Sequence, residues 1–232
     1  LNPAQVGYLI FYVTNRCNFR CPFCFYTAEI EKGQKPDELT LDEIKQLALS
    51  IGPLLQLSLT GGEPFLRNDL YKIVNLFKKQ ILSIPTNGWL KDNIVDQINN
   101  MDKKNCEIVI NLSLDGLEKT HNIVRKNKDS WEKVWTTYEE LKKIEKIKTR
   151  FITVIHEDNY DEIIPLMRLI QSKKVDFHSV ILLRGTTLDP HIKLPSIEKL
   201  NKLAVEMFDI LEKYNYGQNS ISAHFLKNYH RY

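Results

Sequence analysis

Short apolar runs alternate with amphipathic stretches along this chain, and that alternation constrains its fold more than any other feature. Residues 8–14 (YLIFYVT) are β-branched or aromatic almost throughout, as a buried strand requires. Residues 40–50 (TLDEIKQLALS) follow with helical periodicity, and Thr40 with Glu43 three positions on reads as a capping box. The same pairing recurs. Strands are expected over 54–59, 80–86, 107–114, 150–155 and 177–183; helices over 69–79, 91–101, 130–146, 160–172 and 196–214. About six βα units in a row imply a parallel sheet with right-handed crossovers. A doubly wound sheet and an incomplete barrel both satisfy the pattern, and both place chemistry just beyond the C-terminal ends of the strands.

The composition suits an α/β domain of this size. The chain has 232 residues, 43% hydrophobic and 26% charged, with a net charge of +3. That charge is too small to argue for a nucleic-acid partner, and Lys142, Lys143, Lys146 and Lys148 read as a solvated face. No run of about 18 apolar residues suggests a membrane span. The opening residues lack a basic segment and do not read as an export signal. Three of the four cysteines fall within eight residues, which suggests a metal or cluster in the reducing cytoplasm rather than a disulfide framework.

Those three cysteines follow the first strand as Cys17-Asn18-Phe19-Arg20-Cys21-Pro22-Phe23-Cys24, spaced C-x3-C-x2-C. Three thiolates on one short loop can hold three irons of a cubane and leave the fourth open to a further ligand. A zinc site lacking its fourth ligand and inert buried thiols are the competing readings; none of the six histidines lies in this loop. The second strand is followed by Gly61-Gly62-Glu63-Pro64, where two glycines allow close backbone approach and a carboxylate can receive an ammonium group. Read alone, this is a turn. The third strand ends in Thr86-Asn87-Gly88, and the fourth in Ser113-Leu114-Asp115-Gly116, with Arg125 twelve residues after the serine. Alternation along a strand would put Ser113 and Asp115 on one face. Arg125 can match a carboxylate bidentately, or lie on the surface beside Lys126 and Lys128; Asp115 can instead cap a helix. Cys106 reads as a buried thiol, the scattered histidines as structural, and Trp131 with Trp135 as packing.

In this order the motifs resemble the radical S-adenosylmethionine (SAM) superfamily, and Ser113–Gly116 with Arg125 resembles its SPASM/twitch-type, peptide- and protein-modifying branch. The resemblance runs from about residue 8 to 185 and implies a partial (βα)6 TIM-like barrel. Residues 1–185 would form the core and 186–232 a C-terminal helical segment leading towards an auxiliary-cluster domain. It implies a [4Fe–4S] cluster on Cys17, Cys21 and Cys24. Phe23 would lie near the adenine of SAM, and Gly61, Gly62 and Glu63 at its amino group. Asn87 would lie near its substrate side, Ser113, Asp115 and Arg125 at its ribose and carboxylate, and Val154 and Leu183 around adenine. Reductive cleavage would yield a 5′-deoxyadenosyl radical that abstracts hydrogen from a substrate. The implied partners are SAM, an electron donor such as flavodoxin or ferredoxin, and a peptide or protein substrate. Two alternatives stay open. Phe23 to Ala28 (FCFYTA) resembles the cysteine loop of viperin, which acts on a nucleotide. A non-catalytic iron–sulfur or zinc redox module would need the cysteines but has no use for Gly61–Glu63.

Overall fold

A computed structural model describes residues 6–32 and 38–213. Six strands form one parallel sheet: β1 (Tyr8–Thr14), β2 (Leu54–Gly61), β3 (Lys79–Thr86), β4 (Glu107–Ser113), β5 (Ile147–Ile155) and β6 (Phe177–Leu182). Each pairs only with its sequence neighbours, in the order β1-β2-β3-β4-β5-β6. A doubly wound sheet must reverse its strand order at a switch point. This one never does, so right-handed crossovers roll it steadily into a partial TIM-like barrel whose two edges are β1 and β6.

The helices are α1 (Thr27–Lys32), α2 (Leu41–Ile51), α3 (Leu70–Leu76), α4 (Lys91–Asn99), α5 (Glu118–Val124), α6 (Ser130–Leu141), α7 (Ile163–Ser172) and α8 (Ile197–Lys213). Strand parity separates the two faces of the sheet. Leu57, Leu59, Leu82, Ile84, Ile108, Ile110 and Phe151 point outward, buried against Ile44, Ile73, Val74, Ile94, Ile98, Val134 and Tyr138 of the helices. The inner face is wetter: Ser58, Ser83 and Ile152 are half-buried, and Tyr8, Ile10 and Tyr12 of β1 are exposed.

The capping box forms as expected, with Glu43 N–H donating to Thr40 Oγ1 and Thr40 N–H to Glu43 Oε2. Helix 130–146 is shorter than its apolar stripe suggests. It ends at Leu141, Lys146 turns through φ +65°, and β5 begins three residues early at Ile147. The helix expected over 160–172 is split, a 3-10 segment over Glu157–Glu162 leading into α7. Short helices α1 and α5, six and seven residues long, were too brief to show a periodic pattern. Of the helix expected over 196–214, Tyr214 lies outside the described residues, as do His224 and His230. Among the described residues no helix is long and apolar enough to cross a membrane.

Candidate active site

The cysteine loop leaves the end of β1 and is held by its own backbone. Cys24 N–H donates to the Cys21 carbonyl at 3.1 Å, and Arg20 Nη1 braces the Cys17 and Phe19 carbonyls at 2.8 and 2.9 Å. Phe19 N–H points at Cys17 Sγ, 3.4 Å away. All three thiols are free. Burial pushes the Cys17 thiol up to about 12 and raises Cys21 as well, the latter opposed by the Arg125 guanidinium beside it.

The Gly61-Gly62-Glu63 turn at the end of β2 packs directly on this loop. Gly62 N–H donates to the Thr14 carbonyl at 2.9 Å and Glu63 N–H to the Arg16 carbonyl at 2.8 Å. A Cβ on Gly61, whose φ is +140°, would come 2.1 Å from the Thr14 oxygen; one on Gly62 would come 2.1 Å from the Arg16 oxygen. The close approach that these glycines permit is thus to the backbone that carries the cysteines. Glu63 is 2% exposed. Its oxygens accept from Phe65 N–H (3.2 Å), Thr86 Oγ1 (2.8 Å) and Asn87 N–H (2.8 Å). Burial outweighs these donors and lifts its pKa to about 7. Asn87 is committed to the protein on both sides of its amide, donating to Asn18 Oδ1 at 2.8 Å and accepting from Trp89 N–H at 2.9 Å. Only Gly88 of the Asn87-Gly88 pair has positive φ, so the pair does not form the type I′ turn that an Asn-Gly sequence often makes.

β4 ends at Ser113, so strand alternation does not carry on to Asp115. Ser113 faces the cavity, whereas Asp115 is wholly buried behind its wall. Asp115 does not cap a helix: its Oδ1 accepts Val154 N–H at 2.9 Å and its Oδ2 takes Arg125 Nε at 2.6 Å. Its own N–H donates to His121 Nδ1 at 3.1 Å, which fixes that nitrogen as the unprotonated one. Burial lowers the His121 pKa to about 3. Arg125 is not a surface residue. It leans over the Phe23 ring at 5.1 Å and points Nη1 at Cys21 Sγ, 3.8 Å away. Burial disfavours its charge, but Asp115 and Cys21 together more than offset this and raise its pKa.

One cavity of about 200 Å³ at the strand ends gathers the expected residues. Cys17, Cys21, Cys24, Phe23, Gly61, Gly62, Glu63, Asn87, Ser113, Arg125, Val154 and Leu183 line it, and Asp115 does not. Thr153 is also turned away, donating to the Leu114 carbonyl at 2.6 Å. Cys106 sits half-buried just before β4 rather than fully enclosed. Trp131 and Trp135 pack edge to face at 5.7 Å against the main core. Sequence reasoning missed Tyr12, Phe25 and Tyr26, which line the same cavity, and His156, which stacks on Phe23 at 5.3 Å. The strand parity of Tyr12 was legible; the contacts between loops were not.

The donor set suits an iron–sulfur cluster: three free thiols at one end of one cavity, with an N–H directed at one sulfur. Among the described residues no three His, Cys, Asp or Glu side chains close on a point as ligands of a single metal ion do.

Residues 11–170 match the Radical SAM superfamily. GTP 3′,8-cyclase of Campylobacter jejuni is 30% identical over 190 residues, covering 78% of this chain and 58% of that protein. The Helicobacter pylori GTP 3′,8-cyclase is 26% identical over 231 residues, covering 96% and 70%. The chain thus spans under two thirds of the first of these relatives. Among solved structures, anSMEcpe with bound AdoMet superposes with a TM-score of 0.71 at 20% identity, covering 90% of this chain and 61% of that one. Streptococcus suis SuiB bound to precursor peptide SuiA gives 0.69 at 22%, covering 90% and 47%. With the family match across most of the barrel and the three thiols gathered at its mouth, this chain belongs to the radical SAM superfamily, a family that uses a [4Fe–4S] cluster and SAM.

Proposed function

We propose that this chain is the catalytic core of an enzyme that uses SAM to start radical chemistry on a nucleotide. One observation carries the SAM half of that reading: the cysteine loop, the Gly61–Glu63 turn, Ser113 and Arg125 all line one cavity, though they come from three separate βα units. Cys17, Cys21 and Cys24 would hold the cluster, which would supply the one electron that reductively cleaves SAM and so starts hydrogen abstraction from substrate.

The protein's own residues position and shield. Gly61 and Gly62 seat the cysteine loop against β2. Glu63 ties that turn to β3 through Thr86 and Asn87 and is itself part of the cavity wall. Arg125, held by Asp115, brings a fixed positive charge beside Cys21 and faces the cavity where the carboxylate of SAM would lie. Phe23, in contact with both the Arg125 guanidinium and His156, offers an apolar ring at the same wall.

For the substrate, the cyclases at 30% identity support a nucleotide. The peptide-bound neighbour is 22% identical and speaks to the fold alone, so the peptide reading rests on the Ser113–Gly116 and Arg125 pattern.

Anaerobic reconstitution tests the reading. The expected result is about four irons per chain and 5′-deoxyadenosine formed from SAM under dithionite. A protein that takes up iron and leaves SAM intact would refute it.

A further inference from the structure

Four side chains form an unbroken line along one rim of the cavity, and none has a place in the chemistry above. Tyr12 comes from β1 at one edge of the barrel, Arg184 follows β6 at the other, and Phe25 and Tyr26 come from the cysteine loop between them. The Tyr12 and Tyr26 rings lie 4.9 Å apart at 33°, Tyr26 and Phe25 are 6.4 Å apart, and the Arg184 guanidinium carbon stands 5.0 Å from the Phe25 ring centre.

The line is braced from behind. Tyr26 donates its hydroxyl to Asn15 Oδ1 at 2.5 Å, and Gly185, at φ +73°, packs so closely on Phe25 that a Cβ there would come 2.8 Å from the Phe25 Cβ. Its two ends are free. Tyr12 is 43% exposed, and its hydroxyl has no hydrogen-bond partner among the described residues. Arg184 forms no ion pair among the described residues. An exposed tyrosine face fixed by a second ring is a stacking platform at low entropic cost. A guanidinium without a carboxylate partner offers a planar fork that matches phosphate. Single exposed aromatics need no explanation, but here an aromatic and a cation are joined through two braced rings along one cavity wall.

We infer that this rim selects the substrate, which is a planar heteroaromatic ring bearing an anionic group, the ring stacked on Tyr12 and the anion met by Arg184. The inference deepens the nucleotide reading and rests on it.

Anaerobic titration calorimetry of the reconstituted, SAM-loaded protein tests it with three probes: GTP, guanosine and inorganic tripolyphosphate. GTP should bind most tightly. Tyr12→Ala should weaken GTP and guanosine roughly tenfold, the scale of one base–aromatic stack, and leave tripolyphosphate unchanged; Tyr12→Phe should restore both. Arg184→Ala should weaken GTP and tripolyphosphate and spare guanosine. Unchanged GTP affinity in Tyr12→Ala overturns the inference, and so do equal losses across all three probes, which would report a general disturbance of the loop. Wild-type protein that cleaves SAM yet binds none of the probes overturns the rim while the SAM chemistry stands. Protein that binds GTP through Tyr12 but leaves SAM intact upholds the rim and sinks the SAM chemistry.

Discussion

The Asp115 carboxylate grips the Arg125 guanidinium through both Nε, at 2.6 Å, and Nη2, at 2.5 Å, with Asp115 shut off from solvent. The pair couples the end of β4 to the cysteine loop, because the remaining arm of Arg125 faces Cys21. Asp115 also receives Val154 N–H, and its carbonyl accepts Asn159 Nδ2 at 2.7 Å, so a single residue ties β4, β5 and the 3-10 segment after β5 together.

Removing one partner of a buried ion pair strands the other. Asp115→Ala should lower unfolding stability by about 3–5 kcal/mol, read by denaturant titration. It should also weaken SAM binding, because Arg125 loses its brace. A variant of wild-type stability and SAM affinity would show that Arg125 holds its place without Asp115.

Glu63 sets a pH dependence. Its folded pKa, lifted by burial to about 7, lies above the roughly 4.3 of an unfolded glutamate. The folded state therefore holds the proton more tightly, and the stability that Glu63 contributes is present below pH 4.3 and lost as pH rises through 7. Unfolding titrations of the metal-free protein should show this loss, and Glu63→Gln should flatten it. An unchanged slope in the variant would assign the pH dependence elsewhere.

Gly62 is a steric requirement. A Cβ there would collide with the Arg16 carbonyl at 2.1 Å and its carbon at 2.6 Å, both backbone and neither free to swing aside. Gly62→Ala should displace the cysteine loop, and iron content after reconstitution should fall well below wild type while helix content by circular dichroism holds. Normal iron loading would mean that the loop can give.

Each of Cys17→Ala, Cys21→Ala and Cys24→Ala should abolish both cluster absorbance and SAM cleavage. Cys106 lies before β4, away from the cavity, and Cys106→Ala should retain both. Loss in Cys106→Ala matching the other three would implicate it in the cluster.

The repeating pattern of apolar and amphipathic stretches determined all six described strands and their parallel sense, because period and propensity are local properties. The capping box at Thr40 was equally legible, since both partners lie within one turn. So was the cysteine spacing, which is chemistry written along the chain. Boundaries were less so: α6 stops at Leu141 because the chain must turn at Lys146 to enter β5, and its apolar stripe carries on regardless.

Tertiary structure alone decided between a doubly wound sheet and a barrel, since strand order is set by which edges meet. It also decided what each polar side chain faces. Glu63, Asn87 and Asp115 stand in motifs that point to a ligand, yet hydrogen bonds with residues up to 69 positions away draw them into the protein itself. The stacking of Tyr12 on Tyr26 and of Phe23 on His156 came from the same source: side chains distant in sequence meet only once the barrel has rolled, and no local pattern records the meeting.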